Sequence, residues 1–291
     1  MYNILNRSNF RLFILILTIL VFSFLIGCGG AKKAMQIKGS DTMVNLGQAW
    51  TEEYMKLYPA CTIAVNGGGS GTGVAALISG VTDIAQCSRE MKGNEIKAAQ
   101  KKGVNPLQLH VANDGIAMVV NPKNPINKLT IKQLSGIFSG KTTNWKSLGG
   151  PDLQIVALSR ERNSGTHVFF LEHVVKLGNT KSPDEFASHI LMMPSSQAIV
   201  EEIASNPSAI GYIGLGYVTS REKVLAIAKM DGTPYVLPSI KTVLNKTYPI
   251  ARALYFYTDG QPTGNVKPFV DFVLSKDGQD VVKKMDFVPI K

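Results

Sequence analysis

Short apolar runs alternate with stretches of helical periodicity along most of the chain, and this alternation limits the fold more than any other feature. The apolar runs are "MQIKGS", "TIAVNGG", "TDIAQCS", "GIAMVVN" and "LQIVALS", and helical periodicity is found over 44–58, 74–79 and 167–176. Strands that alternate with helices predict an α/β fold with mostly parallel sheets. In such sheets ligands bind beyond the carboxyl ends of the strands, so the residues after each strand are candidate binding residues.

Four of the predicted strands are followed by glycines, hydroxyl-bearing residues or arginines. These candidates are Ser40 and Thr42, then Ser70 and Thr72 in "NGGGSGTG", then Ser88 and Arg89, and then Arg160, Ser164, Gly165 and Thr166 in "SRERNSGT". Glycine lets the backbone approach a ligand closely, and the free N–H groups at the start of a helix attract an anion. The four loops together predict one oxyanion held by backbone amides, hydroxyls and guanidinium groups.

Two of these loops also have a simpler interpretation when each is considered alone. The glycine-rich loop is consistent with a flexible surface turn capped by Ser70 or Thr72. Arg160 is also consistent with a structural salt bridge to Glu161 or Glu90. The agreement between several loops is what favours the anion site.

The sequence contains binding groups but no recognisable catalytic set. The segment 136–142, "GIFSGKT", is one residue short of a nucleotide-binding P-loop, and neither Ser70 nor Ser164 stands in a complete G-x-S-x-G motif. The four histidines show no metal-ligand spacing, and no two aspartates form a pair with fixed roles. We therefore expect a binding protein and not an enzyme, with no cofactor and no metal.

The N-terminal segment has the pattern of a targeting sequence. Arg7 and Arg11 precede the apolar run "LFILILTILVFSFLI", which is short for a membrane span and typical of a signal peptide over 1–27. The segment "LIGC" resembles a bacterial lipobox, so we expect lipidation of Cys28 and a polar tether over 28–33. The alternatives are an ordinary signal peptide that contains a cysteine, or an uncleaved anchor.

Charge and cysteine content give weaker constraints. Cleavage after residue 27 removes Arg7, Arg11 and no acid, so the formal charge falls from +10 to +8. Scattered lysines favour a general attraction for anions, or for an anionic membrane surface, over a nucleic-acid partner. Cys61 and Cys87 could form one disulfide, but we expect two buried thiols.

Eight segments, in family order, resemble the substrate-binding lipoproteins of phosphate ABC transporters, the PstS family. They are "IKGSDTM", "GGGSGTG", "DIAQCSRE", "NDGIAMVVNPKNPINKLT", "LSGIFSGKTTNWKSLGG", "SRERNSGT", "AIGYIGLGYV" and "YPIARALYFYTDG". The resemblance implies a type II periplasmic-binding-protein fold, with two α/β lobes joined by a two-strand hinge and the ligand cleft between them. The implied crossings lie near 113–116 and 248–250. Lobe 1 would then comprise 34–112 and 250–291, and lobe 2 would comprise 113–249.

Matching the family motifs position by position implies the phosphate ligands. They would be Ser40, Thr42, Ser70 and Ser88 or Arg89 from lobe 1, and Arg160, Ser164, Gly165 and Thr166 from lobe 2. Longer family members end the third strand with an aspartate that accepts a proton from phosphate and so rejects sulfate, whereas this chain has Ser88 followed by Arg89. Such members also carry an aspartate at the position of Arg162, where it fixes the binding arginine.

The resemblance implies that the protein captures inorganic phosphate outside the cytoplasm and delivers it to an ABC transporter permease as the cleft closes. It would be a monomer, anchored by lipid to the membrane in the periplasm or on the outer face of the cell membrane. The same fold could instead bind another tetrahedral oxyanion, such as sulfate or molybdate. A lipid-anchored phosphate-ester hydrolase is a third alternative.

Overall fold

The predicted strands and helices form, and further elements lie between them. The computed structural model describes residues 34–290, so the predicted signal peptide over 1–27, Cys28 and the tether over 28–33 lie outside the described residues. Within residues 34–290 the strands are β1 (Met35–Gly39), β2 (Ile63–Asn66), β3 (Ile84–Cys87), β4 (Pro106–Val120), β5 (Lys128–Thr130), β6 (Val156–Arg160), β7 (Leu191–Met193), β8 (Ala209–Gly214), β9 (Lys223–Val224), β10 (Ala226–Ala228) and β11 (Ala251–Asp259). The α-helices in the same part of the chain are α1 (Val44–Leu57), α2 (Ser70–Ile78), α3 (Gly93–Lys101), α4 (Ile131–Phe138), α5 (Gly165–Phe170), α6 (Ser196–Ser205), α7 (Ile240–Leu244), α8 (Val266–Leu274) and α9 (Lys276–Lys284).

The main sheet is mixed, and this differs from the mostly parallel sheet that the sequence predicted. Its strand order is β2-β1-β3-β11-β4-β8-β6-β7, with β9 also paired to β4. The pairs at the two sides, β1 with β2 and β3, and β6 with β7 and β8, are parallel. The central strands β4 and β11 are antiparallel to each other and to their outer neighbours. The prediction failed at the centre because these two strands cross between the parallel halves in opposite directions.

Strand β4 connects the two halves of the fold. It is 15 residues long, pairs with β11 over Pro106–Gly115 and then pairs with β8 over Ile116–Val120. The change of partner falls inside the crossing that the resemblance placed near 113–116. This is the two-lobed arrangement expected for the type II fold, although the lobe boundaries at 112 and 250 stay a prediction.

One hydrophobic core cluster runs across both halves of the sheet, and a second lies mainly in the half formed by β6, β7 and β8. Helix α1 buries Leu46, Trp50 and Tyr54, which recur every four residues on the face that packs on the sheet. In the other half, the ring of Phe170 stacks on that of Tyr212 with centroids 3.9 Å apart and meets Phe138 edge to face at 4.8 Å. Between residues 34 and 290 no helix has the length and apolar character that crossing a bilayer requires.

Both cysteines of the described chain are free thiols. Cys87, on β3, is fully buried, and burial raises the pKa of its thiol to about 12. Cys61 is only partly buried. The expectation of two thiols is therefore confirmed, but only Cys87 is buried.

Gly39 ends β1 at a point where the backbone leaves no space for a side chain. Its φ is +144°, and an added Cβ would lie 2.1 Å from the Gln86 carbonyl oxygen. We expect Gly39→Ala to lower the free energy of unfolding by more than about 2 kcal/mol, because both the backbone angle and the contact become strained. Chemical denaturation would measure this loss. Gly93→Ala is the control, since nothing lies within 4 Å of its added Cβ; equal losses for the two variants would contradict the expectation.

Candidate anion-binding site

The glycine-rich loop brings one half of the protein against the other. Helix α2 begins at Ser70, four residues earlier than predicted, so the second half of "NGGGSGTG" forms its first turn. Gly69 precedes it with a φ of +91°, and an added Cβ there would lie 2.7 Å from the Asn163 carbonyl oxygen. That same oxygen accepts a hydrogen bond of 2.9 Å from the Gly71 N–H, and Asn163 Nδ2 donates to the Gly68 carbonyl at 2.8 Å. The glycines therefore allow close contact between two backbone loops.

Five hydroxyl side chains from the predicted binding loops gather at the ends of β1, β3 and β6. We call this group the hydroxyl cluster, and its members are Ser40, Thr42, Ser70, Ser88 and Thr166. Ser40 Oγ donates to Ser88 Oγ at 2.9 Å, and the Ser88 N–H donates to Ser70 Oγ at 3.0 Å. The Thr42 and Thr166 hydroxyls share a hydrogen bond of 2.8 Å. The structure thus brings together hydroxyls that are up to 126 positions apart, from Ser40 to Thr166.

Gly165 closes one side of the hydroxyl cluster. An added Cβ at this position would lie 2.3 Å from Ser70 Oγ and 2.6 Å from Ser88 Oγ. Ser164 lies just before it and caps α5, since its Oγ accepts hydrogen bonds from the Thr166 and His167 N–H groups at 3.2 and 3.4 Å. Helix α5 then continues as a π-helical turn over Leu171–Val175, so the predicted helix over 167–176 is present but changes pitch. Gly165, the first residue of this helix, therefore supplies a surface without a side chain next to the hydroxyl cluster.

A buried ion pair, which the sequence did not indicate, adjoins the hydroxyl cluster. Asp114 on β4 and Arg252 on β11 are directly opposite each other in the antiparallel register. Arg252 Nη2 donates to Asp114 Oδ2 at 2.9 Å and to Thr166 Oγ1 at 2.9 Å, and it lies 3.4 Å from Thr42 Oγ1. Arg252 Nη1 donates to the Ser88 carbonyl oxygen at 3.0 Å. The guanidinium therefore contacts residues of three predicted binding loops.

Both members of this ion pair are shifted in pKa by their removal from water. Burial raises the pKa of the Asp114 carboxyl, although the Arg252 guanidinium and the Leu215 N–H oppose the shift. Burial lowers the pKa of Arg252; Asp114 opposes that change, and the nearby charge of Arg160 adds to it. Buried charges of this kind are retained only when they are paired and hydrogen-bonded. Arg252 is thus a buried cation that is paired with Asp114 and also contacts the hydroxyl cluster.

Arg160, which the sequence assigned to the anion, is held by an aspartate from another loop. Its side chain is 1% exposed, and Nη2 donates to Asp41 Oδ2 at 2.9 Å. The other hydrogen bonds that its guanidinium makes within residues 34–290 go to Ser196 Oγ and to the Met193 and Pro194 carbonyls. Asp41 also contacts the glycine-rich loop, since its Oδ1 accepts a hydrogen bond from the Gly68 N–H at 3.0 Å. Asp41 thus supplies a carboxylate partner for Arg160, and position 162 of this chain is an arginine.

Arg89 does not reach the hydroxyl cluster in this structure. Its Nη1 and Nη2 donate to the two carboxylate oxygens of Glu95 on α3, at 2.8 and 2.7 Å. Glu95 is fixed in turn by the Lys92 N–H, which donates to it at 2.7 Å at the start of that helix. The Arg89 guanidinium, which the sequence assigned to the anion, is therefore paired with the carboxylate of Glu95. Ser88, the alternative that was predicted beside it, is the residue that joins the cluster.

These groups form a candidate anion site whose two arginines and two aspartates add no net charge. The hydroxyls can donate to an oxyanion, and the cations Arg160 and Arg252 are matched by Asp41 and Asp114. Among residues 34–290, no group of three or more His, Cys, Asp or Glu side chains is arranged to hold a metal ion. The arrangement favours binding of a small oxyanion by hydrogen bonds from both halves of the fold.

Two half-sheets joined by crossing strands, with a polar site between them, define a binding protein of the type II periplasmic class. A sequence profile of the PBP superfamily domain matches residues 29–277. A crystal structure of a phosphate ABC transporter substrate-binding protein from Clostridium perfringens, with bound phosphate, aligns to this structure with a TM-score of 0.79. The two sequences are 32% identical, and the alignment covers 89% of this chain and 100% of that chain. An ABC-type phosphate transport receptor from Vibrio cholerae aligns with a TM-score of 0.69 at 29% identity, covering 87% and 99%.

Curated relatives narrow the class to one family. The phosphate-binding protein PstS of Pseudomonas aeruginosa is 35% identical over 269 residues, which cover 87% of this chain and 81% of the relative. PstS of Bacillus subtilis is 33% identical over 264 residues, covering 89% and 82%. The chain belongs to the PstS family of phosphate-binding proteins, as its eight motifs predicted.

The ion pair of Arg89 with Glu95 predicts a specific dependence of stability on pH. Burial opposes ionisation of Glu95, but hydrogen bonds from Arg89 and the Lys92 N–H outweigh it and hold the pKa below the ordinary value of 4.5. A carboxylate with a lowered folded-state pKa stabilises the protein above its unfolded-state pKa, and this contribution disappears as the pH falls through the folded-state pKa. We expect Glu95→Gln to lower the free energy of unfolding by at least about 1 kcal/mol at pH 7, with a smaller difference at pH 3.

Denaturant titrations of both proteins at each pH would measure this difference. Glu201→Gln is the matched control, because the ion pair of Glu201 with Arg221 is half exposed and should contribute less. A difference that stays constant between pH 7 and pH 3 would show that the ionised carboxylate of Glu95 is not responsible.

Proposed function

We propose that this protein captures inorganic phosphate outside the cytoplasm and delivers it to the membrane permease of an ABC transporter. Family membership supports this, since the relatives from Pseudomonas aeruginosa and Bacillus subtilis are phosphate-binding proteins and the Clostridium perfringens structure has bound phosphate. The observation that carries the proposal is the hydroxyl cluster, in which buried hydroxyls from the first three loops meet Thr166 from the fourth. Delivery to a permease rests on the family alone.

The proposed ligands are hydroxyls and backbone N–H groups from both lobes. They are Ser40, Thr42, Ser70, Ser88, Ser164, Gly165 and Thr166, all of which are buried. Burying a multiply charged ion is costly unless each oxygen finds donors, and such a set supplies them from several directions. Micromolar affinity requires about 8 kcal/mol. Several charge-assisted hydrogen bonds supply that amount after the cost of ordering the ligand.

In the proposed function, the two lobes close around the bound phosphate. Lobe 1 would comprise 34–112 with 250–291, and lobe 2 would comprise 113–249. Contacts between these segments include the pair of Asp41 with Arg160 and the hydrogen bond from Tyr217 Oη to the Asp41 carbonyl at 2.7 Å. A ligand that contacts both lobes makes more contacts when the lobes are closed than when they are open. Binding therefore favours the closed arrangement.

The setting of the protein in the cell follows from the family and from the N-terminal sequence. We propose a lipid-anchored monomer in the periplasm or on the outer face of the cell membrane, with Cys28 as the lipidated residue after removal of 1–27. The evidence for lipidation is the segment "LIGC", which lies outside the described residues. We also propose that the protein is not an enzyme, because its relatives are named for binding and the site gathers donors without a nucleophile and base assigned to each other.

Calorimetric titration of the mature protein, stripped of bound anion, tests this function. We expect one phosphate per chain with micromolar or tighter affinity, and weaker binding of sulfate in competition. Gly165→Ala should weaken phosphate binding more than tenfold, because its methyl group would lie against Ser70 Oγ and Ser88 Oγ. Gly93→Ala, on the surface, is the control and should bind as the natural protein does. Tighter binding of sulfate, or no phosphate binding, would overturn the proposal.

A further inference from the structure

Two surface loops meet the start of β1, at the end of this strand that lies away from the hydroxyl cluster. The Met35 N–H donates to the Thr62 carbonyl, at the end of the loop before β2, at 2.9 Å. The Asp83 N–H, at the end of the loop before β3, donates to the Gln36 carbonyl at 2.9 Å. The chain therefore enters β1 between these two loops.

These loops carry the most exposed large apolar side chains of the proposed lobe 1. Leu57, the last residue of α1, is 60% exposed, its neighbour Tyr58 is 51% exposed, and Val81 in the loop before β3 is 63% exposed. Every other large apolar side chain within 34–112 and 250–290 is 37% exposed or less. We call these three residues the apolar rim. Single exposed apolar side chains are common on protein surfaces, but a group of them around one point indicates a contact surface.

Charges at this end of the sheet are balanced. Lys56, which precedes the apolar rim, is paired with a glutamate on the same helix at 2.9 Å. Lys101 and Lys102 lie exposed at the end of α3, just before β4, and the exposed carboxylates at the same end of the sheet are Asp83 and Asp259. Each of these two aspartates also accepts a hydrogen bond from a backbone N–H. A partner of this surface is therefore recognised by apolar contact and not by charge.

The proposed lipid anchor determines which partner lies within reach of the apolar rim. Cys28 and Met35 are seven positions apart, and a fully extended chain of that length spans about 25 Å. A lipid on Cys28 would hold Met35, and the two loops beside it, within that distance of the bilayer surface. Leucine and tyrosine side chains favour the boundary between lipid and water. Because the anchor keeps the protein at the membrane, even a weak contact of this kind forms readily.

We infer that the apolar rim is a membrane-contact surface, which lies in the headgroup layer of the bilayer that holds the lipid anchor. This rests on the lipid anchoring proposed above and adds an orientation to it. Ser40 and Ser88 of the hydroxyl cluster follow the ends of β1 and β3, whereas the rim surrounds the starts of these strands. Membrane contact through the rim therefore holds the anion site on the side of lobe 1 that faces away from the bilayer.

The experiment uses the lipidated protein, purified from membranes and incorporated into vesicles of phosphatidylglycerol and phosphatidylethanolamine with brominated acyl chains, which quench nearby tryptophans. Leu57→Trp reports contact at the rim, and the natural Trp50 and Trp145 contribute little because both are fully buried. We expect brominated lipid to lower the fluorescence of the added tryptophan at least about twofold, and about 1 M salt to leave this unchanged. Leu153→Trp, at an exposed leucine before β6 in the other half of the sheet, is the matched control and should be quenched by less than about a tenth.

A second variant tests the natural side chains of the rim. Adding Tyr58→Ser and Val81→Ser to Leu57→Trp should reduce the quenching by at least about half, since less apolar surface then enters the bilayer. Equal quenching of Leu57→Trp and Leu153→Trp, or quenching that salt abolishes, would overturn the inference. Mass spectrometry separates the two proposals: absence of lipid on Cys28 refutes the anchor and this contact together, whereas a lipidated protein without selective quenching refutes the contact alone.

Discussion

Burial of two guanidinium groups is the constraint on which the centre of this structure depends. A charge removed from water is tolerated only next to a matching charge with good hydrogen bonds, so each arginine requires a carboxylate at a defined place. Arg252 receives Asp114 from the neighbouring strand, and Arg160 receives Asp41 from the first loop of the chain. These pairs join β4 to β11 and the first binding loop to the end of β6. Arg252 also donates to the hydroxyl cluster, through Thr166 Oγ1.

Local features of the sequence predicted most of the elements. Apolar runs and helical periodicity are properties of neighbouring residues, so β1, β2, β3, α1 and β6 form close to where they were expected. The members of the hydroxyl cluster were expected to lie together because they follow strands, and strand ends meet in this class of fold. The eight motifs then identified the family, which the comparisons confirm.

The partners of the charged residues were not predictable in the same way. Asp114 and Arg252 lie within strands, and the only signal was a charged residue inside the otherwise apolar segments "ANDGIAMVV" and "ARALYFY". Their contact depends on an antiparallel register across 138 positions, which no local pattern contains. Arg89 was assigned to the anion because it follows a strand, but Glu95 competes for it from the next helix. The mixed sheet has the same origin, since strand direction at the centre depends on pairing between distant segments.

The connection between the lobes is a pair of hydrogen-bonded strands and not a loose loop. Strand β4 runs without interruption from its pairing with β11 to its pairing with β8, and its register with β11 shifts only at Leu254 and Tyr255. Paired strands accommodate rotation by changing their twist while their hydrogen bonds stay intact. Any rotation of one half of the sheet against the other therefore has to be taken up by the twist of both strands together, which limits the directions that such a rotation can take.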